Sequence, residues 1–160
     1  MIDFTLYTAN CCGDSSNCIY PNKTHITDSA SFVAAIKQDH VCAAYKNNYR
    51  SNDNFLKTDV LPMDCDNDHS DDPKDWIYPL DVVMAFPEVS LLVSYSRNNM
   101  KVKNGKVARP KFHVYFPIPT MTDGKAYAEL KKRIQEFFPY FDADALGEAR
   151  FLYGTDSPDV

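Results

Sequence analysis

The stretch Lys111-Phe-His-Val-Tyr-Phe-Pro117 alternates strictly, with Phe112, Val114 and Phe116 on one side and His113 and Tyr115 on the other. Successive side chains of an extended chain point to opposite faces, so this period of two predicts a strand with one apolar face and one that carries a histidine. Upstream, Val89-Ser-Leu-Leu-Val-Ser-Tyr95 reads as a core strand. Between them, Asn98–Pro110 holds Asn104-Gly105. That dipeptide suits a tight turn with positive φ at both central positions, so the two strands are predicted to be antiparallel neighbours.

Further elements extend outward from this hairpin. Asp59–Asp66 begins apolar (Val60, Leu61, Met63) and turns acidic, which predicts a strand with Asp64 and Asp66 at its exit. Ser29–Lys37 sets Phe32, Val33 and Ile36 at helical spacing behind Asp28 or Ser29 as cap, and Val41–Tyr45 reads as a short strand after it. A short helix is predicted over Asp81–Phe86 after Pro79. Lys125–Phe138 is the clearest helix, with Tyr127, Leu130, Ile134 and Phe137/Phe138 as its stripe and Pro139 ending it, and Ala149–Tyr153 closes the chain as a strand. These elements predict one α+β domain over residues 1–160: a mixed or antiparallel sheet, helices on one face and the other face open for ligands.

Composition narrows the class. The 160 residues are 44% hydrophobic and 24% charged, so disordered, collagen-like and coiled-coil chains are excluded. No run approaches the apolar length of a membrane span, and Met1-Ile-Asp-Phe4 lacks a secretory pattern, so a soluble, cytoplasmic protein is expected. Five cysteines without that pattern are expected to be free thiols; Cys11, Cys12, Cys18 and His25 do not follow a standard zinc spacing.

Net charge is −5, yet it is unevenly spread. Residues 53–88 carry ten acids and two bases, whereas 89–122 carry six bases and no acid. An acidic block beside a basic one suits a protein that holds cations next to polyphosphate.

Three constellations carry chemistry. On a strand, Asp64 and Asp66 face the same side, and paired carboxylates hold hard divalent cations such as those of two-metal phosphoryl transfer. His113, flanked by Arg109 and Lys111, suits an anionic oxygen, and Ser94, Ser96 and Arg97 close the neighbouring strand with hydroxyl and guanidinium donors. Asp142, with Asp144 as its competitor, follows a hydrophobic residue just past a helix and supplies a third carboxylate, while Arg150 is placed to pair with it or to reach a phosphate. The dense aromatics Phe112, Tyr115, Phe116, Phe137, Phe138, Tyr140 and Phe141 are assigned mostly to the core.

Together, Met63-Asp64-Cys-Asp66-Asn67, the basic-flanked His113, and Phe141-Asp142-Ala-Asp-Ala followed by Ala149-Arg150-Phe151 and Gly154-Thr-Asp156-Ser-Pro158 resemble the archaeo-eukaryotic primase superfamily. The likeness runs from about Arg50 to Asp159 and is nearest to the primase-polymerases of phages and mobile elements; Lys111 stands where that family often has serine. The resemblance implies a palm on an RRM-like sheet over residues 53–160 with a small N-terminal α/β part over 1–52, together forming the catalytic domain of a longer replication protein. It implies Mg²⁺ or Mn²⁺ held by Asp64, Asp66 and Asp142, with His113 as the further catalytic residue. His113, Lys111, Ser94, Ser96, Arg97 and Arg150 would bind a nucleoside triphosphate (NTP or dNTP). The implied reaction is transfer of that nucleotide to a 3′-hydroxyl on a primed single-stranded DNA template, with a helicase as a further partner and no membrane. Two other classes compete: a non-catalytic RRM-like module that binds single strands without metal, and a metal-dependent nuclease or phosphotransferase.

Overall fold

The computed structural model describes residues 2–160. Two four-stranded sheets make the frame, and every strand pairing is antiparallel. The first contains β1 (Phe4–Thr8), β2 (Asn22–Ile26), β3 (His40–Val41) and β8 (Phe151–Leu152), in the order β2-β1-β3-β8. The second contains β4 (Ala43–Tyr45), β5 (Phe55–Cys65), β6 (Leu92–Tyr95) and β7 (Phe112–Met121), in the order β4-β5-β7-β6. Helices α1 (Ser29–Ala35), α2 (Pro79–Ala85) and α3 (Gly124–Phe137) complete it. Among the described residues no helix is long and apolar enough to cross a membrane.

The hairpin predicted around Asn104-Gly105 is present. Strands β6 and β7 pair with Leu92 opposite Tyr115 and Tyr95 opposite Phe112. Asn104 (φ 53°) and Gly105 (φ 75°) both take the left-handed turn conformation. Residues Val89–Leu91 stay outside β6, so that strand is shorter than its apolar run. The segment β5-α2-β6-β7-α3 is a split βαβ arrangement, with β7 inserted between β5 and β6, which is the RRM-like half of the expectation.

Two boundaries differ from the sequence reading. Val41–Tyr45 is not one strand: the chain leaves the first sheet after Val41 and joins the second at Ala43, with the Cys42 carbonyl accepting from Thr58 Oγ1 at 2.6 Å. β8, from the far end of the chain, sits on the edge of the first sheet. The two sheets therefore do not divide at residue 52. Strands β1 and β2 lie in a segment where none was predicted. β1 is buried on both faces and so shows no clean period, and β2 buries only Ile26.

The second sheet is covered on both sides. Leu61, Met63, Cys65, Phe112, Val114 and Phe116 pack with Val82, Tyr127, Phe138 and Phe141 under α2 and α3. On the opposite face, Val60 and Tyr115 pack with Phe4, Leu6, Ile26 and Phe32 from the first sheet and α1. The face expected to be open is thus largely closed; only its end, at Asp64 and His113, reaches a cleft. Asp59 ties the sheets together by accepting from the Thr5 amide (2.8 Å) and hydroxyl (3.0 Å).

Candidate active site

Asp64 is the penultimate residue of β5 and is nearly fully buried. Its Oδ1 accepts from His113 Nδ1 at 3.0 Å across the β5–β7 pair, in which the two residues are directly opposite. A carboxylate only accepts, so Nδ1 carries a proton and donates, and Nε2 remains as the second hydrogen-bonding atom. The other carboxylate oxygen, Oδ2, is engaged by Arg150 just ahead of β8. Burial alone would push the Asp64 carboxyl up, but the His113 ring and the Arg150 guanidinium hold it well below the usual carboxylate range.

Asp66 lies one residue beyond β5 and lines the same cleft, a space of about 210 Å³ shared with Ser96, Arg97, Lys103, His113, Arg150 and Tyr153. It also borders a second depression of about 280 Å³ that contains Asp142 and Asp144. The Asp142 amide donates to the Asp64 carbonyl at 2.8 Å, which brings this segment against the end of β5. Between the two candidates, Asp142 is the one attached to Asp64, whereas Asp144 is exposed and donates its amide to Asp142 Oδ1 at 2.9 Å. Burial first, and then the Asp64, Asp66 and Asp144 carboxylates, push the Asp142 carboxyl above its ordinary value against the effect of that amide.

Not every predicted contact reaches the cleft. Ser94, opposite His113 and so on the same face of the sheet, is buried and does not line the cleft. Lys111 lines an adjoining basic depression with Lys101, Lys103 and Lys106, where its Nζ lies 3.2 Å from Asp68 and 3.5 Å from Asp66. Arg109, read from sequence as a flank of His113 for anions, is fully buried. Its guanidinium donates to the Asn67 (2.9 Å) and Ser70 (3.1 Å) carbonyls and engages Asp71. It therefore shapes the acidic loop instead of facing a ligand. The cysteine–histidine group does not converge: His25 pairs with Asp3 at 2.6 Å, Cys11 Sγ lies 3.9 Å from Asp39, and all five cysteines are free. Of the dense aromatics, Phe137 and Tyr140 are exposed and the rest are core.

Several residues that shape the site carry no sequence signal of their own. Asn67 (φ 53°) turns the chain directly after Asp66, its side chain bonding the Ile77 amide (2.7 Å) and the Ile77 and Pro110 carbonyls (2.9 and 2.8 Å). Tyr153 carries the Arg97 guanidinium 3.6 Å over its ring, a cation–π stack on the cleft wall. Lys131 of α3 is fully buried and donates to the Ala145 (2.9 Å) and Gly147 (3.3 Å) carbonyls, holding the loop that starts at Asp142; burial lowers its ammonium to about 8.

The donor set tests directly what could bind here. Asp64, Asp66 and Asp142 offer hard carboxylate oxygens, the donor type of Mg²⁺ or Mn²⁺ and not of a softer ion, with Arg150 and His113 on Asp64 and Lys111 3.5 Å from Asp66. They are not gathered: among the described residues no three His, Cys, Asp or Glu side chains stand together at metal-binding distances. Arg150 and His113 occupy both oxygens of Asp64.

No protein-family model matches the chain, and no curated protein matches it in sequence. Its fold is similar to that of an archaeo-eukaryotic primase domain. A solved structure to which it is similar is the AEP domain of the primase-polymerase of cyanophage S-2L, with a TM-score of 0.50 and 15% identity. The match covers 95% of this chain and 72% of that one.

Proposed function

We propose that this chain is a metal-dependent nucleotidyltransferase of the primase-polymerase kind, adding nucleotides from NTP or dNTP to a 3′-hydroxyl on a single-stranded DNA template. The observation that supports the reading most is the 2.8 Å bond from the Asp142 amide to the Asp64 carbonyl, which holds the Asp142 loop against the end of β5, in a depression that shares Asp66 with the neighbouring cation-lined cleft. The similarity in fold to a primase-polymerase domain supports it.

In this reading Asp64, Asp66 and Asp142 hold Mg²⁺ or Mn²⁺. When bound, the metal supplies Lewis-acid stabilisation of the attacking and leaving oxygens as the α-phosphorus is attacked and pyrophosphate departs. The chain's own groups position the nucleotide. With a proton on each ring nitrogen, His113 donates Nδ1–H to Asp64 and Nε2–H to a phosphate oxygen, and Arg97 and Lys103 face the same cleft as cations. Ser96 adds a hydroxyl, and the Arg97–Tyr153 stack walls the side. Lys111 keeps Asp66 and Asp68 in place instead of meeting substrate. A helicase partner and a phage or mobile-element context belong to the same proposal.

Calorimetry with a non-hydrolysable triphosphate analogue tests it. Analogue binding is expected to need Mn²⁺ and to disappear in Asp64→Ala/Asp66→Ala. Single-strand binding that ignores metal and survives that double substitution, with no analogue bound, would replace the proposal by a non-catalytic binding module.

A further inference from the structure

The arginine that closes Asp64 has a second use. Both oxygens of Asp64 are engaged, Oδ1 by His113 and Oδ2 by Arg150, and the carboxylate is nearly fully buried, so a cation entering from the cleft meets these two groups before it reaches a remaining lone pair. His113 is fixed on a central strand opposite Asp64, whereas Arg150 is a long side chain that begins outside β8 and keeps about a third of its surface exposed. Its Nε is buried and has no acceptor, so the guanidinium meets the site through one end and leaves a donor unmatched. The same cleft holds Arg97 and Lys103, which gives it an anion-attracting side within the reach of Arg150.

Charge decides what happens next. The Arg150 guanidinium is permanently positive and stands in for part of the charge that Asp64, Asp66 and Asp142 lack. A divalent cation on those carboxylates would repel it, and the phosphates of a nucleotide in the cleft would attract it.

We infer that Arg150 is an exchangeable counter-ion: it competes with divalent metal for Asp64 in the nucleotide-free protein and moves onto the triphosphate when metal and nucleotide bind together. The inference rests on the metal-and-triphosphate reading above and adds to it an order of events and a linkage. Arg150 weakens metal binding alone and strengthens metal binding in the presence of nucleotide. By reciprocity it also makes triphosphate affinity depend on metal.

The test is titration of Mn²⁺ into the full chain, followed by the electron paramagnetic resonance signal of the free ion, with and without a non-hydrolysable triphosphate analogue. Arg150→Gln and Arg150→Met remove the charge, the second keeping an unbranched apolar stem in case the first fails to fold, and Arg150→Lys retains it. Without analogue, the charge-free variants are expected to bind Mn²⁺ about tenfold more tightly than the unsubstituted protein, the scale expected for removing one competing ion pair from a buried carboxylate. Arg150→Lys is expected to show no such gain. With analogue, the unsubstituted protein gains Mn²⁺ affinity and the charge-free variants gain less. Unchanged or weaker Mn²⁺ binding in folded charge-free variants, or an equal gain in Arg150→Lys, would overturn the counter-ion role while leaving the metal centre intact. Absence of Mn²⁺ binding in every protein, with or without analogue, would overturn both the metal reading and the inference.

Discussion

The Asp142 amide donates to the Asp64 carbonyl at 2.8 Å, and this one bond brings the loop after α3 against the end of β5. The loop is held from behind by Lys131, whose ammonium donates to the Ala145 and Gly147 carbonyls from a fully buried position. Two anchors thus set where the Asp142 loop stands: one backbone bond to the Asp64 carbonyl and one buried lysine beneath the turn.

Replacing that lysine should loosen the loop without opening the sheets. In Lys131→Met the two carbonyls lose their donor, and amide hydrogen exchange at Asp142, Asp144 and Ala145 is expected to accelerate roughly tenfold or more while β5 and β7 keep their protection. Unchanged exchange at these amides would show that the loop holds itself.

Acid should act first through His40. This side chain is fully buried, with Nδ1 on the Gln38 carbonyl (3.0 Å) and Nε2 on the Tyr115 hydroxyl (2.7 Å). Burial lowers it from 6.5 to about 4. A base depressed in the folded state binds fewer protons there than when unfolded, so its stability contribution is complete above 6.5 and is lost as pH falls towards 4. Urea unfolding at pH 7 and pH 4.5 should differ by about 2–3 kcal/mol from this group, and His40→Gln should flatten the difference. Below that range the depressed Asp64 carboxyl continues the loss in the same direction. An equal loss in His40→Gln would place the acid sensitivity elsewhere.

The tail that walls the cleft depends on a missing side chain. A Cβ on Gly154 would lie 2.4 Å from the Lys37 carbonyl oxygen, and the Gly154 amide donates to the buried Asp39 carboxylate at 2.8 Å. Both partners are backbone or buried, so neither can yield easily. Gly154→Ala is expected to cost about 2–3 kcal/mol, seen in thermal unfolding as a fall of about 4–10 °C. An unshifted midpoint would mean that the tail moves freely off α1.

The parts of this structure that sequence made legible are those with local periodicity. Phe112, Val114 and Phe116 mark β7 because they alternate; Asn104-Gly105 marks the hairpin turn because few other dipeptides tolerate that backbone; Asp64 and Asp66 stand out because acids follow an apolar run. What stayed hidden is long-range. β1 and β2 show no clean period, and the pairing of β3 with β8, the latter inside the strand read over Ala149–Tyr153, is set by tertiary contacts. Arg109, Lys131 and Arg150 look alike as isolated basic residues, and only the tertiary structure separates the buried loop brace, the buried turn anchor and the residue on Asp64. The face around Tyr115 reads as half polar and is nonetheless covered, because β1 and α1 supply Phe4, Leu6 and Phe32 to it.

The most direct measurement of the central claim is strand extension coupled to pyrophosphate release, on a primed single-stranded template with Mn²⁺, for the unsubstituted chain and for Asp64→Asn and Asp142→Asn. One pyrophosphate per nucleotide added is expected, with each variant reduced by about 10³-fold or more, the loss expected when a group that stabilises the transition state is removed. Phosphodiester cleavage without pyrophosphate, or extension that persists undiminished in both variants, would contradict it.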